Sequence, residues 1–241
     1  MKVAMLLLAA GRGTRLGADV PKAFLRLGDE TLLAHSTARL VAALPADAHP
    51  EVLLLVQPED RRTHVRACLD RVRAQLPAGA ELRVVDGGTT RQESMERGLA
   101  ASSPDAELVL VHDCARALVP VAAVRACLHT AADVGAALLA IPATDTLKRV
   151  HDDRVVETID RRPVWYAQTP QIARRELFLR AVDHARSTGF AATDDASLLE
   201  HAGIPVAVVP GATTNLKITR RDDLPLAAAL LQQDPTPFVN P

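Results

Sequence analysis

The chain has 241 residues, 48% apolar and 24% charged, and its 28 Lys and Arg against 29 Asp and Glu leave a formal net charge of −1. This composition excludes a disordered or collagen-like chain, and near-neutral charge gives no overall attraction to DNA or to an anionic membrane. Aromatic residues make up 2% of the chain, too few for a stacking platform on single-stranded nucleic acid. No apolar run approaches the roughly 18 residues of a membrane span, so neither nucleic acid nor membrane is expected as a partner.

The opening MKVAMLLLAAGRG looks superficially like a secretion signal. Its apolar part, Val3–Ala10, runs straight into a Gly/Arg loop, too early for the usual cleaved peptide. It reads instead as a buried strand, Val3–Ala9. Further strands are expected at Val52–Val56, Leu82–Val85, Leu108–Val111 and Ala136–Ile141, with helices at Thr31–Ala43, Glu59–Gln75, Thr89–Ala101 and Pro120–Ala132 between them. Continuous apolar strands alternating with amphipathic helices predict an α/β fold with a parallel sheet covered on both faces. The stretch Pro142–Val164 breaks this rhythm: two β-prone runs flank the polar HDDR, the pattern of a hairpin. It reads either as an arm that packs on a partner subunit or as an antiparallel edge of the main sheet. Helices at Arg174–Ser187, Asp195–His201 and Asp222–Gln232, a strand at Val206–Val209 and an irregular tail, DPTPFVNP, complete the chain. Residues 1–233 are expected to form one domain, with the arm at about 142–164 and the Pro-rich tail at 234–241.

Three expected strand ends carry polar chemistry. After the first come Gly11 and Gly13, then Arg15 and Pro21-Lys22. The glycines let the backbone approach a ligand, and backbone N–H groups there can bind phosphate oxygens. The spacing fits neither GxGxxG nor GxxxxGK followed by Ser or Thr, and a glycine turn with solvated cations stands as the alternative. After Val84-Val85 comes GGTTRQES, where Gly88, Thr89 and Ser94 offer N–H groups and hydroxyls at a helix start; the alternative is a tight turn with Thr caps. After Leu108–Val111 comes HDCAR. There Asp113 suits Mg²⁺, which takes one or two carboxylates plus substrate phosphates, or else caps a helix and pairs with Arg116. Cys114 reads as a buried thiol rather than a nucleophile. Cys68, Cys114 and Cys127 include no CxxC, so they form no disulfide framework or zinc ribbon and read as the reduced thiols of a cytoplasmic protein. No GxSxG and no helical His pair occurs.

Taken together, AAGRGTRLGADVPKAFL, DGGTTRQESMERGL, VHDCAR, DTLKRV, TIDR, WYAQTPQ, TDDASLLEHAG and NLKIT resemble the 2-C-methyl-D-erythritol 4-phosphate cytidylyltransferase family over nearly the whole chain. The resemblance implies a three-layer, Rossmann-like, mostly parallel sheet (the nucleotidyltransferase fold) with a protruding β-hairpin arm. It implies CMP transfer from CTP to 2-C-methyl-D-erythritol 4-phosphate with Mg²⁺, in a cytoplasmic homodimer. Arg15, Lys22 and Lys217 would stabilise the reacting phosphate. Arg161 and Thr146, on the arm, would reach the neighbouring subunit's substrate. Arg116, Thr169 and Thr193 would line the substrate site, Asp113 would serve metal and substrate, and Ala9, Ala10, Gly11, Gly13, Gly88, Thr89 and Ser94 would enclose CTP. Thr89 stands where the family often has Asp, Cys114 where Ala is usual, Ala117 where Pro is usual, and Phe24 for a usual Tyr. The chain ends at Pro241, and no fused downstream cyclase is expected. Two other readings remain: a transferase for another alcohol phosphate such as ribitol phosphate, and a CTP-binding regulatory protein without catalysis.

Overall fold

The computed structural model describes residues 1–11 and 20–238. The expected positions Gly13 and Arg15 lie outside them. In chain order the elements are β1 (Lys2–Leu8), β2 (Arg26–Leu27), β3 (Glu30–Thr31), α1 (Leu32–Ala43), β4 (His49–Val56), α2 (Arg66–Arg73), β5 (Glu81–Asp86), α3 (Arg91–Ala101), β6 (Leu108–Asp113) and α4 (Val121–Val134). They continue with β7 (Ala136–Pro142), β8 (Leu147–His151), β9 (Arg154–Ile159), β10 (Trp165–Arg174), α5 (Arg175–Thr188), α6 (Asp195–His201), β11 (Ala207–Pro210) and α7 (Asp223–Gln233).

Seven strands form one sheet in the order β11-β7-β10-β6-β1-β4-β5. All its pairings are parallel except those of β10, which runs antiparallel to both β6 and β7. Side chains alternate across a strand, and β1 shows the result. Val3, Met5 and Leu7 pack with residues of α1, α2 and α4 on one face, while Ala4 and Leu6 pack with residues of α3, α5 and α6 on the other. That double burial is why the strand reads as an uninterrupted apolar run, and it makes the molecule three-layered.

Registry sets the functional edge. Leu8 pairs with Asp113 and with Leu55, and Val56 pairs with Asp86, so four parallel strands end at one level. Successive connections run in opposite directions from β1, toward β4 on one side and β6 on the other, and ligands of open α/β sheets bind at such a switch point.

The hairpin forms a two-stranded sheet of its own rather than an extra edge of the main one. Asp152 and Asp153 turn it with φ of 47° and 57°. Two consecutive left-handed residues give the twist that a two-residue hairpin needs, and Asp tolerates that region better than most side chains. The helix expected over Glu59–Gln75 is present, but its first part is a wide π-helical turn, Arg61–Val65, that runs directly into α2, with no side-chain cap at Asp60. The NLKIT segment is irregular, and no helix or strand follows Gln233 through Phe238.

Candidate active site at the carboxyl edge of the sheet

A cavity of about 300 Å³ opens over the ends of β1, β5 and β6. Its floor is backbone. Gln57, just past β4, donates from Nε2 to the carbonyls of Ala10 and Gly88, 3.1 Å each, and so pins the two glycine turns together. A Cβ on Gly87 would stand 2.5 Å from that of Ala10, and one on Gly88 2.4 Å from that of Glu93, so both positions require glycine. The groups read from sequence as open to a nucleotide are engaged in holding this turn. Gly88 N–H donates to Ser94 Oγ at 2.9 Å, and the Ser94 hydroxyl donates to the Thr90 carbonyl. Thr89 donates from both N–H and hydroxyl to Glu93, and these bonds together with Arg97 hold the Glu93 carboxyl down at about 2.

One wall is a charged chain. Lys217 Nζ meets Asp113 Oδ2 at 2.6 Å, and Arg91 Nε donates to Asp113 Oδ1 at 3.1 Å. Arg91 then grips buried Asp195, on α6, through two bonds of 2.8 Å. Burial alone would raise the Asp113 carboxyl, but Arg91 and Lys217 outweigh it and hold the group well below the usual carboxylate range. The pairing of Asp113 with Arg116 that the sequence allowed does not form. Arg116 donates instead to the Asn215 carbonyl at 2.7 Å and the Ala167 carbonyl at 3.3 Å, and Asp113 ends a strand rather than capping a helix.

Behind Asp113 lies a buried polar relay. Neutral His112 donates from Nε2 to the Arg116 carbonyl at 3.2 Å, which leaves Nδ1 to accept from the Thr169 hydroxyl at 3.1 Å. Thr169 Oγ1 also accepts the Asp113 N–H at 3.1 Å. Burial pulls His112 down to about 4. Asn215 donates to Gln168 Oε1 and the Thr169 carbonyl, both at 3.0 Å, tying the Lys217 segment to β10 where its register with β7 shifts.

Of the residues named from sequence, the cavity gathers Ala9, Ala10, Gly11, Lys22, Gly88, Thr89, Ser94, Asp113 and Lys217 on its lining. Thr169 is buried behind Asp113 rather than on that lining. Thr193 is exposed before α6, Thr146 is exposed at the root of the arm, and Arg161 is exposed and donates to the Thr144 carbonyl. Sequence reasoning passed over Gln57, Arg91 and Asp195. Arg91 carried a clue: a cation in the first turn of a helix opposes the helix dipole and calls for a carboxylate. Cys114 is fully buried with its thiol pushed well above the ordinary range, so it is no nucleophile. Among the described lining residues the single acid is Asp113, and no cluster of three or more metal-ligating side chains occurs among the described residues.

The family model of 2-C-methyl-D-erythritol 4-phosphate cytidylyltransferase (IspD) matches residues 3–233. The enzyme of that name from Solibacter usitatus is 40% identical, covering 97% of each chain, and that from Bacillus velezensis is 37% identical, again over 97% of each. The crystal structure of the Thermus thermophilus enzyme is 37% identical, superposes with a TM-score of 0.76, and covers 96% of this chain and 100% of its own. A sheet whose carboxyl edge holds two glycine turns and an Asp–Lys pair, matched end to end by these relatives, leaves one assignment: the chain belongs to the 2-C-methyl-D-erythritol 4-phosphate cytidylyltransferase family.

Proposed function

We propose that the cavity at this edge carries out the family's reaction, the transfer of CMP from CTP to 2-C-methyl-D-erythritol 4-phosphate in isoprenoid biosynthesis. A phosphate oxygen of the acceptor attacks the α-phosphorus of CTP, the bond from that phosphorus to the β-phosphate oxygen breaks, and pyrophosphate leaves. The single observation carrying this reading is the convergence of Lys22, Lys217 and Asp113 on the two glycine turns. Two polyanions must meet, so fixed cations and positioning supply most of the catalysis. Lys22 neutralises the α-phosphate as charge builds, joined by Arg15, whose role comes from the family likeness. Lys217, aimed by Asp113, holds the attacking phosphate. The backbone of Ala9–Gly11 and Gly88, with Thr89 and Ser94, encloses cytosine and ribose.

Mg²⁺ fits this donor set as an ion carried by the substrate: one strand-end carboxylate, Asp113, plus triphosphate oxygens is its ordinary shell. When bound it supplies charge neutralisation at the phosphates. Arg116, Thr169 and Thr193 belong to the side where the alcohol phosphate lies. Thr146 and Arg161 serve the site of a second copy, a reading supported by the projecting hairpin, whose Val150, Val155 and Val156 are more than half exposed. The three unpaired, buried cysteines support a cytoplasmic home, and no helix among the described residues is long and apolar enough to cross a membrane.

Pyrophosphate release tests the reading. With CTP and Mg²⁺, release is expected with 2-C-methyl-D-erythritol 4-phosphate and far less with ribitol 5-phosphate. Equal release with both, or CTP binding with no release from either, would overturn it.

A further inference from the structure

Asp113 stands on a strand, but the two lysines do not. Lys22 opens a 3-10 turn, Lys22–Phe24, and Lys217 lies on the irregular segment before α7. Their spacing must come from packing outside the sheet. A small apolar cluster supplies part of it: Leu27, Leu32, Leu118, Ile218 and Ala227 bring together the segment after Lys22, the loop after Asp113, the segment of Lys217 and α7.

The rest comes from the chain beyond α7. Arg39, on α1, is 1% exposed, yet its guanidinium finds its partners on the tail. Nη1 donates to Asp234 Oδ2 at 2.7 Å, Nη2 donates to the Asp234 carbonyl, and Nε donates to Thr236 Oγ1 at 3.2 Å. His35, one turn earlier and also buried, donates from Nε2 to the Leu27 carbonyl at 2.8 Å. That tautomer makes Nδ1 an acceptor, so the Thr236 hydroxyl donates to it at 2.7 Å. One hydroxyl thus accepts from Arg39 and donates to His35, and through His35 it reaches the backbone five residues past Lys22. Phe238 closes the arrangement, with its ring 5.1 Å from that of His35 and 4.9 Å from the Arg71 guanidinium. At the other end of α7, the N–H groups of Thr219 and Arg220 donate to Asp223 Oδ2 at 2.6 and 2.8 Å, which ties the Lys217 segment to the same helix.

We propose that residues Asp234–Phe238 form a strap that positions Lys22 for catalysis, acting through the Thr236 hydroxyl, His35 and the Leu27 carbonyl. The inference rests on the role given to Lys22 above. Thr236 is a positioning residue and touches no substrate. Displacing a reacting-centre cation by about an ångström costs up to about 100-fold in rate, so losing one linker of the chain is expected to be visible in turnover.

Thr236→Val keeps the shape and removes the hydroxyl. Expected are a fall in kcat of roughly tenfold or more, an equilibrium dissociation constant for CTP within about twofold of the parent, and recovery of kcat in Thr236→Ser. In a Lys22→Ala background the same Val substitution is expected to cost less than about twofold, because residues acting as a unit are not additive. Unchanged kcat in Thr236→Val, or an equal loss in both backgrounds, would show a strap that only holds the fold together. Full turnover in Lys22→Ala alone would instead remove the parent reading of the site, and this proposal with it. Thermal melts of each variant separate lost fold from lost positioning.

Discussion

The carboxyl edge of the sheet and the hairpin arm place their charges differently. At the edge, the charged groups are paired inside one copy: Asp113 with Lys217 and Arg91, and Arg91 in turn with Asp195. Burial of the two carboxylates, Asp113 and Asp195, makes those pairs expensive to break and leaves little to reorganise when phosphate charge builds up. On the arm, the pairs are exposed. Arg149 meets Glu157 at 2.6 Å and Lys148 meets Thr158 at 2.6 Å, both across the hairpin. Exposed pairs contribute little, and an isolated two-stranded hairpin is marginal in water. The edge is organised for chemistry by its own chain, whereas the arm has apolar residues that its own chain does not cover.

The contrast sets an order of expected effects. The largest is at the buried pair. Arg91→Met strands Asp195 and removes one of the two cations on Asp113, so it should lower unfolding stability by about 3–5 kcal/mol, measured by urea denaturation. A loss under about 1 kcal/mol would mean that the edge is no more committed than the arm. Next comes Lys22→Ala, expected to lower kcat roughly 10²–10³-fold, the scale of one preorganised transition-state donor, with the circular dichroism spectrum unchanged.

Third is pH. His112 titrates at about 4 when folded and near its ordinary 6.5 when unfolded. Between those values the unfolded chain holds the extra proton, so stability rises with pH across that window and is lost as pH falls through it. The gap is worth about 3 kcal/mol. His35, also lowered by burial, acts in the same direction, so the difference between wild type and His112→Gln isolates the relay. Asp113, depressed by its cations, contributes stability that is present above the ordinary carboxylate range and lost only as pH falls well below it, outside the His112 window. A His112→Gln curve parallel to wild type would show the relay to be inert. The smallest effect is on the arm: Val155→Asp should leave folding within about 0.5 kcal/mol, as surface changes usually do, while sedimentation is expected to show weaker association than wild type, on the proposal that the arm pairs two copies. Unchanged association would take Thr146 and Arg161 away from any neighbouring site.

Much of this was legible in the residues. Strands β1, β4, β6 and β7 announce themselves because both faces are covered, so each has an unbroken apolar run (Val3–Leu8, Val52–Val56, Leu108–Val111 and Ala136–Ile141), whereas β5, half-exposed at the edge of the sheet, shows only Leu82, Val84 and Val85 around Arg83. β10 does not announce itself, since Trp165–Arg174 mixes Gln168, Thr169, Pro170 and Gln171 into a buried strand. Those polar side chains are tolerated because Asn215, Asp194, His112 and the backbone of Ala212 and Ala196 satisfy them, partners from distant parts of the chain that no local pattern reveals. The edge site was visible through its glycines and cations, but the Arg91–Asp195 link, 104 positions apart, was not. The tail reads as irregular from its prolines, and its described part, Asp234–Phe238, is; its hold on Arg39 depends on a fold that sequence does not display.

The backbone floor between Ala10 and Gly88 has a bearing on inhibitor durability. Side chains can be exchanged by mutation, whereas main chain cannot, and any side chain at Gly88 would collide with Glu93. A compound shaped to that strip of peptide would rest on a surface where resistance has little room to arise, and escape would have to come from rim positions such as Thr89 or Gln57.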